Sequence, residues 1–375
     1  MTLAPESAPT TAPAAPTTDG SSQAVRLQEA KAVVRRATNA FDAAAEDELA
    51  AVLGEHVTDD YRWRGVHPFY EQHGADAAVD AFWGPLRRAM GPLQRRPDVF
   101  MAGANDVDGG ATTWVCTMGH LMGLFDRPWL GIAPTGRMCF LRFAEFHRVD
   151  EGRIAESALF CDVIAVMVQA GCYPLPPPTG AHIVHPGPMT HDGLLYERQD
   201  PAAGAETMAL VNRMVADLSE LNRTGDDRCP PDVLARTWHD DMIWYGPAGI
   251  GATYTIDRYQ RQHQYPFREG LTDKVFNGHV ARFAEGDYAG FFGWSNLSNT
   301  PTGGFLGLPA SGTAADMRVV DIYRRQGDRL AENWVFIDLL HWLSMQGLDV
   351  LGRLGTLGPP TNASSLPHLP TEDRP

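Results

Sequence analysis

The sequence predicts an α+β protein built as a tandem repeat of one domain, with helices packed on a curved antiparallel sheet. Three observations predict it. The chain resembles itself at a fixed spacing. Each copy opens with helix-patterned segments and continues with strand-patterned runs. A stretch rich in proline and glycine separates the copies.

The repeat is legible residue by residue. At a spacing of 176 and without gaps, Leu121/Leu297, Gly131/Gly307, Gly136/Gly312, Arg142/Arg318, Glu156/Glu332, Phe160/Phe336 and Asp162/Asp338 coincide. Upstream the spacing becomes 181, and Asp60/Asp241, Trp63/Trp244, Gly65/Gly246 and Pro85/Pro266 coincide. One length change in a loop reconciles the two spacings. The boundaries that follow are a disordered tail over 1–24, a first domain over 25–172, a linker over 173–204, a second domain over 205–352 and a tail over 353–375.

Within each copy the elements take one order. "AVRLQEAKAVVRRATNAFDAAAEDELAAVLG" and "AETMALVNRMVADLSELNR" space apolar residues at three and four, as a one-sided helix requires. A shorter helix follows in "GADAAVDAFWGPLRRAM" and "TIDRYQRQHQYPFREG". Four runs rich in Val, Phe, Trp and Thr then read as strands, with a hairpin turn at Asp150 to Gly152 in copy one. The linker's prolines and glycines propagate neither helix nor ladder.

Composition narrows function by exclusion. A net charge of −15 offers no basic field for nucleic acid or an anionic membrane. No apolar run approaches the roughly 18 to 20 residues of a membrane helix. Lysine occurs only as Lys31 and Lys274, which argues against Schiff-base chemistry. The five cysteines lack C-x-x-C spacing and read as buried thiols of a reducing compartment. The start carries no basic and apolar leader, so a cytoplasmic protein is expected. P-loop, G-x-S-x-G, H-E-x-x-H and dinucleotide motifs are missing. His182, His185 and His191 lie in the linker without acidic or thiol partners, and metal binding is not expected there.

The last strand of each copy carries the acids. A period of two puts Ile154, Glu156, Ala158, Phe160 and Asp162 on one face, and Leu330, Glu332, Trp334, Phe336 and Asp338 on the matching face. Beside an apolar wall, Asp162 or Asp338 becomes a base near neutral pH. The alternative is a structural ion pair with Arg142 or Arg318 on the same face. His120 and its counterpart Asn296 are placed to hydrogen-bond a carbonyl oxygen, or else are structural. His147, aligned with Tyr323, falls on the face opposite Asp162. Trp63 and Trp244 read either as core or as pocket lining.

On these residues both copies resemble the SnoaL-like polyketide cyclase family, within the nuclear-transport-factor-like cone fold. Copy one offers "GHLMGLF", "GIAPTGR", "EGRIAES", Asp162 and "VQAG"; copy two offers "GLPASGT", "GDRLAENW", Asp338 and "MQG". The resemblance implies a cone-shaped domain with a pocket inside and an aspartate at the Asp162 or Asp338 position acting as acid/base, without metal or organic cofactor. It departs at Ser157-Ala158, where the family tryptophan is missing, and at Asn296. The expected function is a cofactor-independent acid/base enzyme acting on a carbonyl compound, as aldol-type cyclase, isomerase or lyase/hydratase. The alternative is a small-molecule binding module without turnover. Catalysis would fall to Asp162, Asp338, His120 and Asn296. Contacts to a small apolar or polar-aromatic carbonyl substrate would come from Trp63, Trp244, Phe160, Trp334, Phe336, Glu156 and Glu332. "GIAPTGR" would rim the pocket, and the two sheets would pack face to face in a pseudo-dimeric monomer.

Overall fold

A computed structural model describes residues 20–224 and 229–354. The sequence-predicted tails fall largely outside these residues. α1 starts at Gly20 and the first helix of copy two at Pro201.

Copy one begins with α1 (Gly20–Ala43) and α2 (Leu49–His56). The buried stripe Ala30, Val33, Val34, Ala37 and Phe41 holds α1 on the sheet. Strands β1 (Val57–Gly65) and β2 (Tyr70–His73) follow, then one helical segment: α3 (Ala75–Ala78), a π-turn at Val79–Trp83 and α4 (Gly84–Ala89). Strands β3 (Gln94–Ala104), β4 (Thr113–Leu124), β5 (Met138–Asp150) and β6 (Arg153–Cys161) make the meander, and α5 (Val163–Gln169) closes the copy. The sheet order is β2-β1-β6-β5-β4-β3.

Copy two repeats the order as α6 (Pro201–Thr224), α7 (Pro231–Leu234), β7 (Trp238–Tyr245) and β8 (Ala252–Tyr254). Next come α8 (Ile256–Tyr259), a π-turn at Gln260–Gln264 and α9 (Tyr265–Gly270). Then come β9 (Leu271–Phe276), β10 (Ala281–Glu285), β11 (Tyr288–Phe292), β12 (Leu297–Pro301), β13 (Ala315–Met317), β14 (Val319–Gln326), β15 (Arg329–Ile337) and α10 (Leu339–Met345). The long strands of copy one are broken here. A main sheet β10-β11-β14-β15-β7-β8 and a small sheet β13-β12-β9 share the work.

Each main sheet is mixed, where the sequence predicts an antiparallel one. β1 runs parallel to β6, and β7 parallel to β15. The cause is connectivity: the last strand of the meander inserts beside the first strand, and both run the same way. Helices cover one face of each sheet. The other faces pack on each other, with Phe146 4.8 Å from Phe292, Trp114 5.4 Å from Phe292 and Phe160 5.8 Å from Phe292 between ring centroids. Aligned apolar faces of two sheets make one continuous core.

The repeated glycine loops meet the segment that leaves the opposite copy. A Cβ on Gly307 would lie 3.1 Å from Pro176, and one on Gly131 3.6 Å from Leu354. Both glycines have positive φ, 66° and 79°, so the turn needs glycine while the neighbouring chain covers it.

Candidate active site

Strand registry sorts the candidate residues by face. Arg148 pairs with Glu156, Phe146 with Ala158 and Ala144 with Phe160, so Glu156 and Phe160 face the opposite sheet. Arg324/Glu332, Ile322/Trp334 and Val320/Phe336 do the same in copy two. His120 pairs with Arg142 on that face as well. Nine of the eleven predicted site residues therefore belong to the sheet–sheet interface or its rim, and only Trp63 and Trp244 reach the helix-covered interiors.

At the interface Asp162 and Asp338 play matching parts. Asp162 caps α5, its Oδ1 accepting from Ala165 N at 3.0 Å. Its Oδ2 accepts from Ala248 N of the other copy at 2.7 Å. Asp338 caps α10 through His341 N at 3.2 Å and accepts from His67 N of the other copy at 2.9 Å. Capping satisfies amide groups that a helix start leaves open. Arg318 stands 3.5 Å from Asp338. Burial pushes the Asp338 carboxyl up to about 6, against the amides and Arg318 that favour its charge. Arg142 makes no ion pair with Asp162; it donates to Val335 O and Tyr245 O across the interface, both at 3.0 Å. Burial lowers its pKa to about 10.

The remaining interface candidates are held in place. Glu156 pairs with Arg62 at 2.6 Å and with Arg64. Glu332 pairs with Arg324 and accepts from Met189 N at 3.2 Å. Trp334 stacks on Tyr245 at 5.4 Å and donates to Pro186 O. Phe336 lies 4.0 Å under the Arg142 guanidinium. His120 reaches Asp98 at 3.4 Å. Asn296 clips the backbone of Val319, accepting from its N at 2.8 Å and donating to its O at 3.2 Å.

The helix-covered interiors hold a second set of polar residues, of which only His147 and Tyr323 were singled out from the sequence. In copy one they are Glu145, His147 and Ser157; at the same places copy two has Asp321, Tyr323 and Asn333. The pairing Glu145/Asp321 at the repeat spacing was a signal in the sequence. It lay on the opposite parity from Asp162.

The two interiors differ chemically. In copy one Glu145 is locked by Arg95 at 3.1 Å, and Arg95 also holds Asp42 at 3.1 Å. Burial works to raise the Glu145 carboxyl, but His147 and Arg95 outweigh it and hold it below its usual range. His147 Nδ1 bonds Ser157 Oγ at 2.8 Å. A pocket of about 30 Å³ opens here between Tyr61, Trp83 and this chain of polar groups, room for water and little more. Phe82 and Trp83 fill the space against Trp63 and Phe41.

In copy two no basic side chain pairs with Asp321 among the described residues. Tyr323 Oη and Asn333 Nδ2 both donate to its Oδ1, at 3.2 and 3.3 Å. No hydrogen bond to its Oδ2 occurs among the described residues. Asp321 is only partly buried, yet apolar walls push its carboxyl up to about 6 despite those two donors. Tyr259 lies within electrostatic reach and is itself held neutral, burial driving its hydroxyl pKa upward. Trp244 floors the site through its registry with Asn333. The arrangement is a carboxylate poised near neutrality, one oxygen hydrogen-bonded and the other without such a partner among the described residues, beside neutral donors.

Comparison with known proteins adds the family. A SnoaL-like domain family matches residues 34–157, and the SnoaL-like polyketide cyclase family matches residues 209–344. Among solved structures, a candidate SnoaL-like polyketide cyclase from Jannaschia sp. CCS1 is 23% identical over 38% of this chain and 90% of its own, with a TM-score of 0.30. TsrD from Streptomyces laurentii is 23% identical over 37% of this chain and 96% of its own, with a TM-score of 0.29. An NTF2-like protein from Burkholderia xenovorans LB400 is 12% identical over 38% and 97%, with a TM-score of 0.29. No curated protein matches the chain.

Proposed function

Because the chain belongs to the SnoaL-like family and carries two copies of its domain, we propose that it is an acid/base enzyme acting on a carbonyl compound, with its site in the interior of copy two. The observation that carries this reading is the open Oδ2 of Asp321, on a carboxyl raised to about 6. A base works best when its pKa lies near the working pH. Asp321 would take a proton from the carbon next to the carbonyl. The electron pair of that C–H bond would move into an enolate, with the charge on oxygen. The Tyr259 hydroxyl, a neutral donor, would meet that oxygen. Returning the proton elsewhere on the substrate gives isomerisation; attack of the enolate carbon on a second carbonyl gives aldol closure.

Copy one supplies the contrast. Its acid at the same place is neutralised by Arg95, and aromatic rings occupy its interior. It would serve as a scaffold for the catalytic copy.

A second reading keeps the acid/base role at Asp338, as the family resemblance implies. It is favoured by the carboxyl raised to about 6 and by a small cleft where Asp338 and Asp162 stand together with His67 and Cys161. Against it, amides occupy both oxygens of Asp338. Deuterium uptake at the methyl carbon of 4-hydroxyacetophenone in D₂O separates the two. Asp321→Asn is expected to lower the exchange rate at least about 100-fold, and Asp338→Asn to leave it within a few-fold. The reverse pattern would move the base to Asp338, and no loss in either variant would end the acid/base reading.

A further inference from the structure

The repeat supplies an internal control for what the interior of copy two has acquired. The helical segment after β8 matches the one after β2, including its π-turn. At three matched places copy one has Ala78, Phe82 and Trp83, where copy two has Tyr259, His263 and Gln264. The tryptophan they pack on is kept. In copy one Phe82 meets Trp63 tilted, at 5.8 Å. In copy two the His263 ring stacks on Trp244 at 3.9 Å and 15°.

We propose that His263 is a substrate-recognition residue of this interior, binding an oxygen substituent on a ring-bearing carbonyl substrate. The proposal rests on the placement of the acid/base site in copy two. Three observations support it. His263 Nδ1 is shielded from solvent and has no hydrogen-bond partner. The polar groups nearest in sequence are engaged elsewhere, Gln260 Nε2 donating to Cys229 O at 2.7 Å and to Gln264 Oε1 at 3.1 Å. Tyr259 lies 5.6 Å from the His263 ring and also stands in reach of Asp321, so the imidazole and the carboxylate border one interior.

A buried polar atom without a partner is unfavourable, and phenylalanine fills the same place in copy one. A ligand hydroxyl or carbonyl would give Nδ1 the partner the protein withholds. Burial lowers the imidazole pKa to about 3, so the ring is neutral at ordinary pH and recognises an uncharged oxygen by hydrogen bonding. Its plane, parallel to Trp244, favours a flat ligand.

The test uses the full chain and two probes that differ by one hydroxyl, 4-hydroxyacetophenone and acetophenone, with affinities measured by ligand-observed NMR. Wild type is expected to bind the hydroxylated probe about tenfold more tightly. His263→Phe, which copy one already accommodates as Phe82, should erase that preference while the melting temperature holds or rises. Asp321→Asn should keep the preference and lose deuterium exchange. Equal affinities for wild type, or a preference that survives His263→Phe, would overturn the proposal; the second result would leave a trapped water as the partner of Nδ1. If the preference behaves as expected but Asp321→Asn retains exchange, the acid/base reading fails and the recognition role stands.

Discussion

Asp321 and Glu145 occupy equivalent positions and have opposite properties. The difference lies in two neighbours, His147 and Arg95: Tyr323 stands at the place of His147, and no basic side chain pairs with Asp321 among the described residues. An apolar environment alone raises a carboxyl, and a buried cation reverses the sign. Glu145→Gln should therefore act on stability and leave catalysis alone. Breaking a buried ion pair costs about 3 kcal/mol when the remaining charge keeps a second partner, as Arg95 keeps Asp42. Chemical denaturation should show that loss while deuterium exchange per folded molecule stays at the wild-type rate. Unchanged stability would mean that Arg95 does not lock Glu145. The sequence pointed to Asp162 and Asp338 at the end of the last strand of each copy and left Glu145 and Asp321, on the preceding strand, unremarked. It did not show which parity faced the helices, because interface and interior are both apolar and both alternate with a period of two.

At the scale of elements, α5 and α10 start where each copy touches the other, and one aspartate serves both tasks. For Asp338 the sign of the pH effect follows from its pKa. The folded value, about 6, lies above the unfolded 3.8. Its favourable contribution is therefore complete below about pH 4 and is lost as pH rises through about 6. Asp338→Asn removes this dependence. Wild type should lose stability relative to the variant between pH 4 and 7, on the order of 2–3 kcal/mol. A constant difference across that range would show that Asp338 titrates normally. The long first helix, the shorter helix with its π-turn and the later strands were readable from periodicity, but β1 and β2 between those helices, their counterparts β7 and β8, and the closing helices α5 and α10 were not. The parallel pairing of β1 with β6 was not, since strand order depends on contacts that neither strand encodes alone. Nor were the breaks that divide copy two into a main and a small sheet.

On the scale of the whole molecule, the repeat lets one chain bury a sheet face that a lone copy would expose. Phe146, Phe160, Phe283 and Phe292 meet between the copies. Exposing such a face invites association. Light scattering should accordingly give one chain, 41.0 kDa, and twice that mass would show a further interface. The tandem organisation was legible because matched residues recur in one order over both halves. The division of labour between the copies was not, because it depends on which buried acid has a cation beside it. The pH profile of deuterium exchange into 4-hydroxyacetophenone reads that division out. The rate should rise with pH through about 6 as Asp321 ionises and then level off, in wild type and in Glu145→Gln alike. Asp321→Asn should abolish the enzymatic rate and with it the rise. A profile that survives Asp321→Asn, or that disappears in Glu145→Gln, would place the base outside the interior of copy two.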